Sequence, residues 1–254
     1  MKRKTEVFNF DNGRGDILSG RMELPRDAEP THFGIFANCF TCAKEFFAPT
    51  RTSRALAERG IAMLRFDFTG LGESEGTFSD TNFTTKIQDI CAAAKAIKEK
   101  YGHDVSLVIG HSLGGAAAIA STAHLPSAKA VATIGAPRDP DHVMRHFREK
   151  EQVLERDGQI EINVAGRKYI LKQHFMDDLS MHHVAQDTAD FEGGVFVFHA
   201  PEDDMVVFEN AKVIYERANE PKFFYEMPGA GHMFEDPVRI GEIADALTDF
   251  LTKK

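Results

Sequence analysis

Val105-Ser106-Leu107-Val108-Ile109-Gly110-His111-Ser112-Leu113-Gly114-Gly115-Ala116-Ala117-Ala118-Ile119-Ala120 decides the fold of this 254-residue chain. The run 105–109 reads as a buried strand, the alanine-rich segment from Ala116 as a helix, and the two meet at a G-x-S-x-G turn. A serine hydroxyl is a weak nucleophile. It becomes an effective one when a tight strand-to-helix turn projects it toward an imidazole that takes its proton and a backbone N–H that holds an oxyanion. Gly110 and Gly114 carry no Cβ, so strand and helix can close on either side of a serine in a strained backbone conformation, while Gly115 and Ala116 keep the helix start slim. Ser112 is therefore the expected nucleophile.

Outward from that turn, short apolar strands alternate with helical segments. Strands are expected at 32–37, 62–68, 105–109, 130–134, 195–199 and 223–227, and helices at 49–59, 85–100, 114–124, 209–218 and 237–251. That alternation makes a mostly parallel sheet with helices on both faces, the α/β class, whose ligands bind where the loops at the carboxyl ends of the strands converge. The stretch 5–24, broken by Asp11-Asn12-Gly13-Arg14-Gly15, reads as a hairpin at the sheet edge. Residues 138–190 interrupt the rhythm. They hold a charged helical piece at 144–156, a hairpin pairing 161–164 with 168–171 around Ala165-Gly166-Arg167, and a second helical piece at 175–184. We expect a core formed by 1–137 and 191–254, with 138–190 inserted as a cap over the site; an excursion that never touches substrate is the plainer alternative.

Composition narrows the function. Thirty Lys+Arg against 39 Asp+Glu give a net charge of −9, which argues against nucleic acid or anionic lipid as partner. Lys2-Arg3-Lys4 is followed by no apolar core of signal-peptide length, and no apolar stretch is long enough to span a membrane. Three cysteines, Cys39, Cys42 and Cys91, cannot all pair, and such sparse usage fits a reducing, cytoplasmic setting rather than a disulfide scaffold. Oligomeric state is left open.

Several motifs together carry a family resemblance. Phe40-Thr41-Cys42-Ala43-Lys44, the run from Leu64 to Gly76, Thr81-Asn82-Phe83, Gly110 to Ala116 and Ala132-Thr133-Ile134-Gly135-Ala136-Pro137 resemble the α/β-hydrolase half of bacterial proteins that fuse a hydrolase to an OsmC-like peroxide-reducing domain. The resemblance runs from about Arg21 to the C-terminus and is strongest between Phe33 and Pro137. A chain of 254 residues has no room for the OsmC-like half, so hydrolase chemistry is implied and peroxide reduction is not. The resemblance implies an α/β-hydrolase fold and a Ser-His-Asp triad.

Its acid loop corresponds to Pro201-Glu202-Asp203-Asp204-Met205-Val206, where the D-x-x-V spacing selects Asp203, with Asp204 and then Glu202 as rivals. Asp204 could alternatively cap the helix that follows. Eleven histidines cannot be sorted by type, but His232 in Pro228-Gly229-Ala230-Gly231-His232 follows the last strand, at the family's base position. His111 belongs to the turn and packs beneath it, His199 lies at a strand end near the acid, and His182-His183 fall in the insertion. The oxyanion donors implied are the backbone N–H of Leu113 and one from the loop after residue 37, assigned to Phe40 with Cys39 and Thr41 as alternatives.

Other signals are weaker. Cys39-Phe40-Thr41-Cys42 has redox-motif spacing but sits in the expected oxyanion loop, and zinc binding through it lacks a second ligand pair at sensible spacing. His142 and His146 lack the intervening Glu of a zincin helix and read as solvated surface. Gly70-Leu71-Gly72-Glu73-Ser74-Glu75-Gly76 matches no phosphate-binding spacing and reads as a tight turn whose acids would repel phosphate. The resulting expectation is a hydrolase of small carboxylic esters that needs neither metal nor organic cofactor. An amidase or peptidase with the same triad and a non-catalytic binding protein of the same fold are the alternatives.

Overall fold

The computed structural model describes residues 2–164 and 166–253. Strands β1 (Arg3–Val7), β2 (Phe10–Asp11), β3 (Ile17–Leu18), β4 (Gly20–Pro25) and β5 (His32–Ala37) lead into helix α1 (Phe47–Ala57), then β6 (Ile61–Phe66), α2 (Phe83–Tyr101), β7 (Val105–His111), α3 (Leu113–Ser121) and β8 (Ala130–Ile134). The chain continues as α4 (Glu151–Asp157), β9 (Gln159–Val164), β10 (Arg167–Lys172), α5 (Gln173–Leu179) and α6 (Val184–Asp190). The chain then rejoins the main sheet as β11 (Gly194–His199), followed by α7 (Glu209–Arg217), β12 (Lys222–Glu226) and α8 (Pro237–Thr252).

One eight-stranded sheet runs β1-β4-β6-β5-β7-β8-β11-β12. β1 and β4 pair antiparallel, β4 pairs antiparallel with β6, and every pairing from β6 to β12 is parallel. The expected N-terminal hairpin is thus present at the sheet edge, with β2 and β3 forming a two-stranded extension around the glycine turn. β5, β6, β7 and β8 are buried along almost their whole length because helices cover both faces, so they read as continuous apolar runs rather than alternating ones. Ile90 and Ala93 of α2 and Ala117 of α3 pack on one face; Leu56 of α1 and Ile243 and Leu247 of α8 pack on the other.

Local chemistry fixes the helix ends. The Asn82 side chain accepts from Thr85 N–H while the Thr85 hydroxyl accepts from Asn82 N–H, a reciprocal cap that starts α2, and Gly102 at φ 73° stops it. Pro237 opens α8 behind an Asp236 side-chain cap. Between β8 and β9, the helix expected at 144–156 is instead 3₁₀ structure at Pro140–His146 and Arg148–Lys150 followed by the short α4. Arg145, Arg148, Glu149, Lys150 and Glu151 provide no apolar stripe to hold a long helix against the core. Ala165, in the expected turn between β9 and β10, lies outside the described residues. Among the described residues no helix is long and apolar enough to cross a membrane.

Candidate active site

Ser112 occupies the junction of β7 and α3 at φ 54°, ψ −128°. Apart from Phe234, it is the one non-glycine described residue with positive φ, a conformation that costs about 1–3 kcal/mol and persists only when the surroundings impose it. The surroundings are tight. A Cβ on Gly110 would overlap the Gly114 backbone, and one on Gly114 would overlap the carbonyl oxygens of Ala37 and Asn38, so close contact excludes a side chain at both positions. Ser112 N–H donates to Ile134 O at 2.9 Å, tying the turn to the end of β8. Its hydroxyl is partly exposed and has no hydrogen-bond partner among the described residues.

Asp203 and His232 come together from loops after β11 and β12. His232 Nδ1 donates to Asp203 Oδ2 at 2.8 Å, with both residues buried. The carboxylate can only accept, so Nδ1 carries a proton, and in the neutral imidazole the lone pair is then on Nε2. The other oxygen, Oδ1, accepts from the N–H groups of Met205 at 3.0 Å and Val206 at 2.8 Å. Burial pushes the Asp203 carboxyl up, but the His232 and Val206 hydrogen bonds and the nearby imidazoles outweigh it and hold the group below the ordinary aspartate value. Gly135, at φ 54° beyond β8, leaves room for the pair: a Cβ there would lie 3.1 Å from Asp203 Oδ2 and 3.5 Å from His232 Nδ1.

The rival residues are placed elsewhere. Glu202 Oε1 accepts from Gly231 N–H, and Asp204 is exposed; it does not cap the helix that follows, which begins at Glu209 with no side-chain cap. His199 Nε2 lies 3.5 Å from Asp203 Oδ2 but is hydrogen-bonded at 2.7 Å to Val206 O, and burial holds its pKa below the ordinary value. His111 is buried under the turn, its ring 5.0 Å from that of His232, and its Nε2 donates to the His232 carbonyl at 2.8 Å. Burial, with the His232 imidazole beside it, lowers the His111 pKa to about 4, so it is neutral at pH 7. His142, expected at a solvated surface, is buried, with Nε2 3.0 Å from Met205 O. The side chain of His146 lies outside the described residues.

The loop from 38 to 46 carries Phe40. Its flanks are held by charged groups that sequence patterning did not select. Asn38 Nδ2 donates to Phe66 O at 2.7 Å. Lys44, 1% exposed, donates from its backbone to Asp67 Oδ1 and from Nζ to Asp67 Oδ2 (both 2.6 Å), and reaches Glu73 Oε2 at 2.7 Å. Arg65 in β6 donates to Lys44 O at 2.8 Å and to the fully buried Glu23 of β4 at 3.0 Å. The glycine-rich 70–76 segment is the expected tight turn, with Gly70, Gly72 and Gly76 at positive φ and Gly72 against the Asp67 carboxylate. A signal was present: Arg65 and Glu23 are charges inside apolar strands, and buried charges must be paired.

Between those anchors, Phe40 stacks edgewise on Phe78 and Phe175 and tilts against Phe147. Lys86 of α2 donates to Phe40 O at 3.3 Å and lies 4.0 Å from the Phe68 ring centroid; burial, opposed by Asp89, lowers its pKa to about 8. Cys39 and Cys42 form a disulfide with Cα atoms 5.2 Å apart, contrary to the expectation drawn from sparse cysteine usage. Their three-residue spacing on a loop brings them within normal disulfide reach. Their sulfurs and a His111 ring nitrogen lie within 4.8 Å of one another. Leu113 opens α3, so its N–H has no partner within the helix. A cleft of about 1030 Å³ lies away from Ser112, between the N-terminal hairpin, α2, His124 and His182.

The sequence model described as the alpha/beta hydrolase family matches residues 34–243. Among solved structures, the esterase domain of a Rhodothermus marinus protein is 34% identical and superposes with a TM-score of 0.76, covering 97% of each chain. Est1E from Butyrivibrio proteoclasticus, solved with ferulic acid bound, is 20% identical with a TM-score of 0.77 over 96% of this chain and 97% of that one. A Pyrococcus furiosus esterase is 20% identical with a TM-score of 0.72, over 98% of this chain and 90% of that one. At their level of identity the last two speak to the fold alone. No curated protein matches significantly.

Proposed function

The chain belongs to the alpha/beta hydrolase family, and from that premise we propose that it is a serine hydrolase of small carboxylic esters, with Ser112, His232 and Asp203 as its triad. The observation that carries the proposal is the 2.8 Å hydrogen bond from His232 Nδ1 to Asp203 Oδ2, with the His232 ring 5.0 Å from that of His111, the residue preceding a serine held at φ 54° on a strand-to-helix turn. The esterase domain from Rhodothermus marinus, 34% identical over 97% of each chain, favours esters within the family.

In this reading Ser112 Oγ attacks the ester carbonyl carbon as His232 Nε2 takes the hydroxyl proton. Asp203 keeps the proton of the neutral imidazole on Nδ1 and stabilises the imidazolium that forms. The oxyanion is received by the backbone N–H groups of Leu113 and Phe40. Collapse breaks the C–O bond, the leaving alkoxide takes the proton from Nε2, and an acyl-Ser112 ester remains. Water, deprotonated by the same Nε2, then releases the carboxylic acid. The Ser112 hydroxyl makes its bond to Nε2 as substrate closes the site, since catalytic hydrogen bonds tighten in the bound complex.

Residues 138–190 act as the cap over an apolar acyl pocket. Support comes from Phe147 and Phe175, which pack on Phe40, and from His142, which bonds the acid loop at Met205 O. The cytoplasm is the proposed compartment, on the sparse cysteine usage of the sequence, and the Cys39–Cys42 disulfide then stands in a reducing setting. The test is turnover of matched nitrophenyl esters and anilides of graded acyl length by the protein and by Ser112→Ala. Ester turnover that is abolished in the variant and exceeds anilide turnover supports the proposal. Preferential anilide turnover replaces it with an amidase, and turnover surviving in Ser112→Ala removes the serine.

A further inference from the structure

The Cys39–Cys42 disulfide has no part in the mechanism above, yet it encloses Phe40, whose backbone N–H is the proposed second oxyanion donor. The bond spans only two intervening residues, so it restricts the unfolded chain less than a link closing a longer loop would. Its effect is local. Asn38 and Lys44 are fixed to β6 and the β6–α2 turn, whereas the peptides between them are held by the disulfide, by Lys86 on the Phe40 carbonyl and by the packing of the Phe40 ring on Phe78, Phe147 and Phe175. The two sulfurs also lie within 4.8 Å of a ring nitrogen of His111, the residue preceding the nucleophile. Cys39 is partly exposed, while Cys42 is 8% exposed, so Cys39 is the more accessible residue of the pair. In a reducing compartment a disulfide is usually catalytic or redox-sensing rather than a permanent staple.

We propose that Cys39–Cys42 is a reversible thiol–disulfide exchange site whose reactant is a dithiol, and whose disulfide form holds the oxyanion loop competent for ester hydrolysis. The hydrolytic half rests on the esterase reading. A thiolate of the dithiol attacks Cys39 Sγ, the Cys39–Cys42 bond breaks, and Cys42 leaves as a thiolate that takes up a proton. The second thiolate of the reactant then attacks the reactant's own sulfur in the mixed disulfide and releases Cys39. The protein gains two electrons and two protons, and the dithiol becomes a disulfide. With the bond open, the Cys39–Phe40 peptide gains backbone freedom, and its N–H loses its fixed aim at the developing oxyanion. That interaction exists in the transition state, so the loss falls on kcat rather than KM.

The test poises the full-length protein, without denaturant, in buffers of graded reduced-to-oxidised dithiothreitol ratio. Each sample is acid-quenched, unfolded and alkylated for peptide mass analysis, and parallel aliquots are assayed for ester turnover and melting temperature. We expect Cys39 and Cys42 to pass together from unlabelled to doubly labelled. Across the same range kcat falls about three- to tenfold, less than the hundredfold or more for outright loss of an oxyanion donor. KM stays nearly constant and reoxidation restores the rate. Cys39→Ser and Cys42→Ser sit at the reduced rate and ignore the buffer. A pair that resists dithiothreitol in the folded protein overturns the exchange site. Full reduction with unchanged kcat, even with a lowered melting temperature, overturns the link to catalysis. If the oxidised protein hydrolyses no ester, the esterase reading has failed, and the labelled masses still decide the exchange site on their own.

Discussion

His111 makes the stability of this protein depend on acid in a calculable way. Its imidazole is 2% exposed, and its pKa falls from 6.5 to about 4 through burial and the neighbouring His232. The folded-state value lies below the unfolded one, so as pH falls the unfolded chain takes up the proton first. Above pH 6.5 the group adds no slope; between 6.5 and about 4 stability is lost; below that the loss is complete. At 1.36 kcal/mol per pKa unit, the full loss is about 3 kcal/mol, of which about 2 kcal/mol has gone by pH 5. The perturbation is His111→Gln, whose amide can donate to the His232 carbonyl as Nε2 does but cannot titrate in this range. Urea unfolding at half-unit steps from pH 7.5 to 4.5 gives the two stability curves. Asp203 and His199 also have lowered pKa values and steepen both curves alike, so the difference between wild type and variant isolates His111. The wild type should lose about 2 kcal/mol more than the variant between pH 7 and 5. Parallel curves would refute a buried neutral imidazole at this position.

Three further outcomes follow from the geometry. Asp203→Asn keeps an acceptor for Met205 and Val206 N–H but turns an amide donor or a weaker acceptor toward His232 Nδ1, so ester kcat should fall about 10³- to 10⁴-fold with the circular dichroism spectrum unchanged. Gly114→Ala drives a Cβ into the Ala37 and Asn38 carbonyls, neither of which can yield without moving β5 or the Phe40 loop; denaturant titration should show a loss above about 3 kcal/mol. Lys86, with a folded pKa of about 8 against 10.5 unfolded, opposes folding while charged, so stability rises as pH climbs from 8 toward 10.5. Lys86→Met should lack that rise, so the stability difference between the two proteins should shift by about 2 kcal/mol in favour of the wild type between pH 7 and 9.5.

What the sequence could and could not reveal follows from where the information resides. β5 and β8 begin and end where their apolar runs do, because a strand buried on both faces is continuously apolar and its edges are marked by polar residues. β7 extends two residues past the expected end, through Gly110 to His111, since the sheet continues into the turn before the backbone reverses at Ser112. The turn itself was legible because its glycines are dictated by local contact. Choosing among eleven histidines was harder, as it depends on which loop folds back over the turn. Three-dimensional contact separates His232 from His199, which spends Nε2 on Val206 O. The pairing of Glu23 with Arg65, and of Lys44 with Asp67, joins residues far apart in the chain and carries no local pattern. The Cys39–Cys42 bond was hidden for a different reason: the same spacing serves free thiols, metal ligands and disulfides, and only loop geometry selects among them.

The most direct test of the account is covalent labelling of the pure protein with a fluorescent fluorophosphonate, with Ser112→Ala alongside and the adduct located by peptide mass analysis. A phosphonyl group is attacked only by a serine whose proton is removed and whose developing oxyanion is held. The account predicts stoichiometric labelling at Ser112 and none in the variant. Folded protein that stays unlabelled, or that is labelled at another residue, would contradict it.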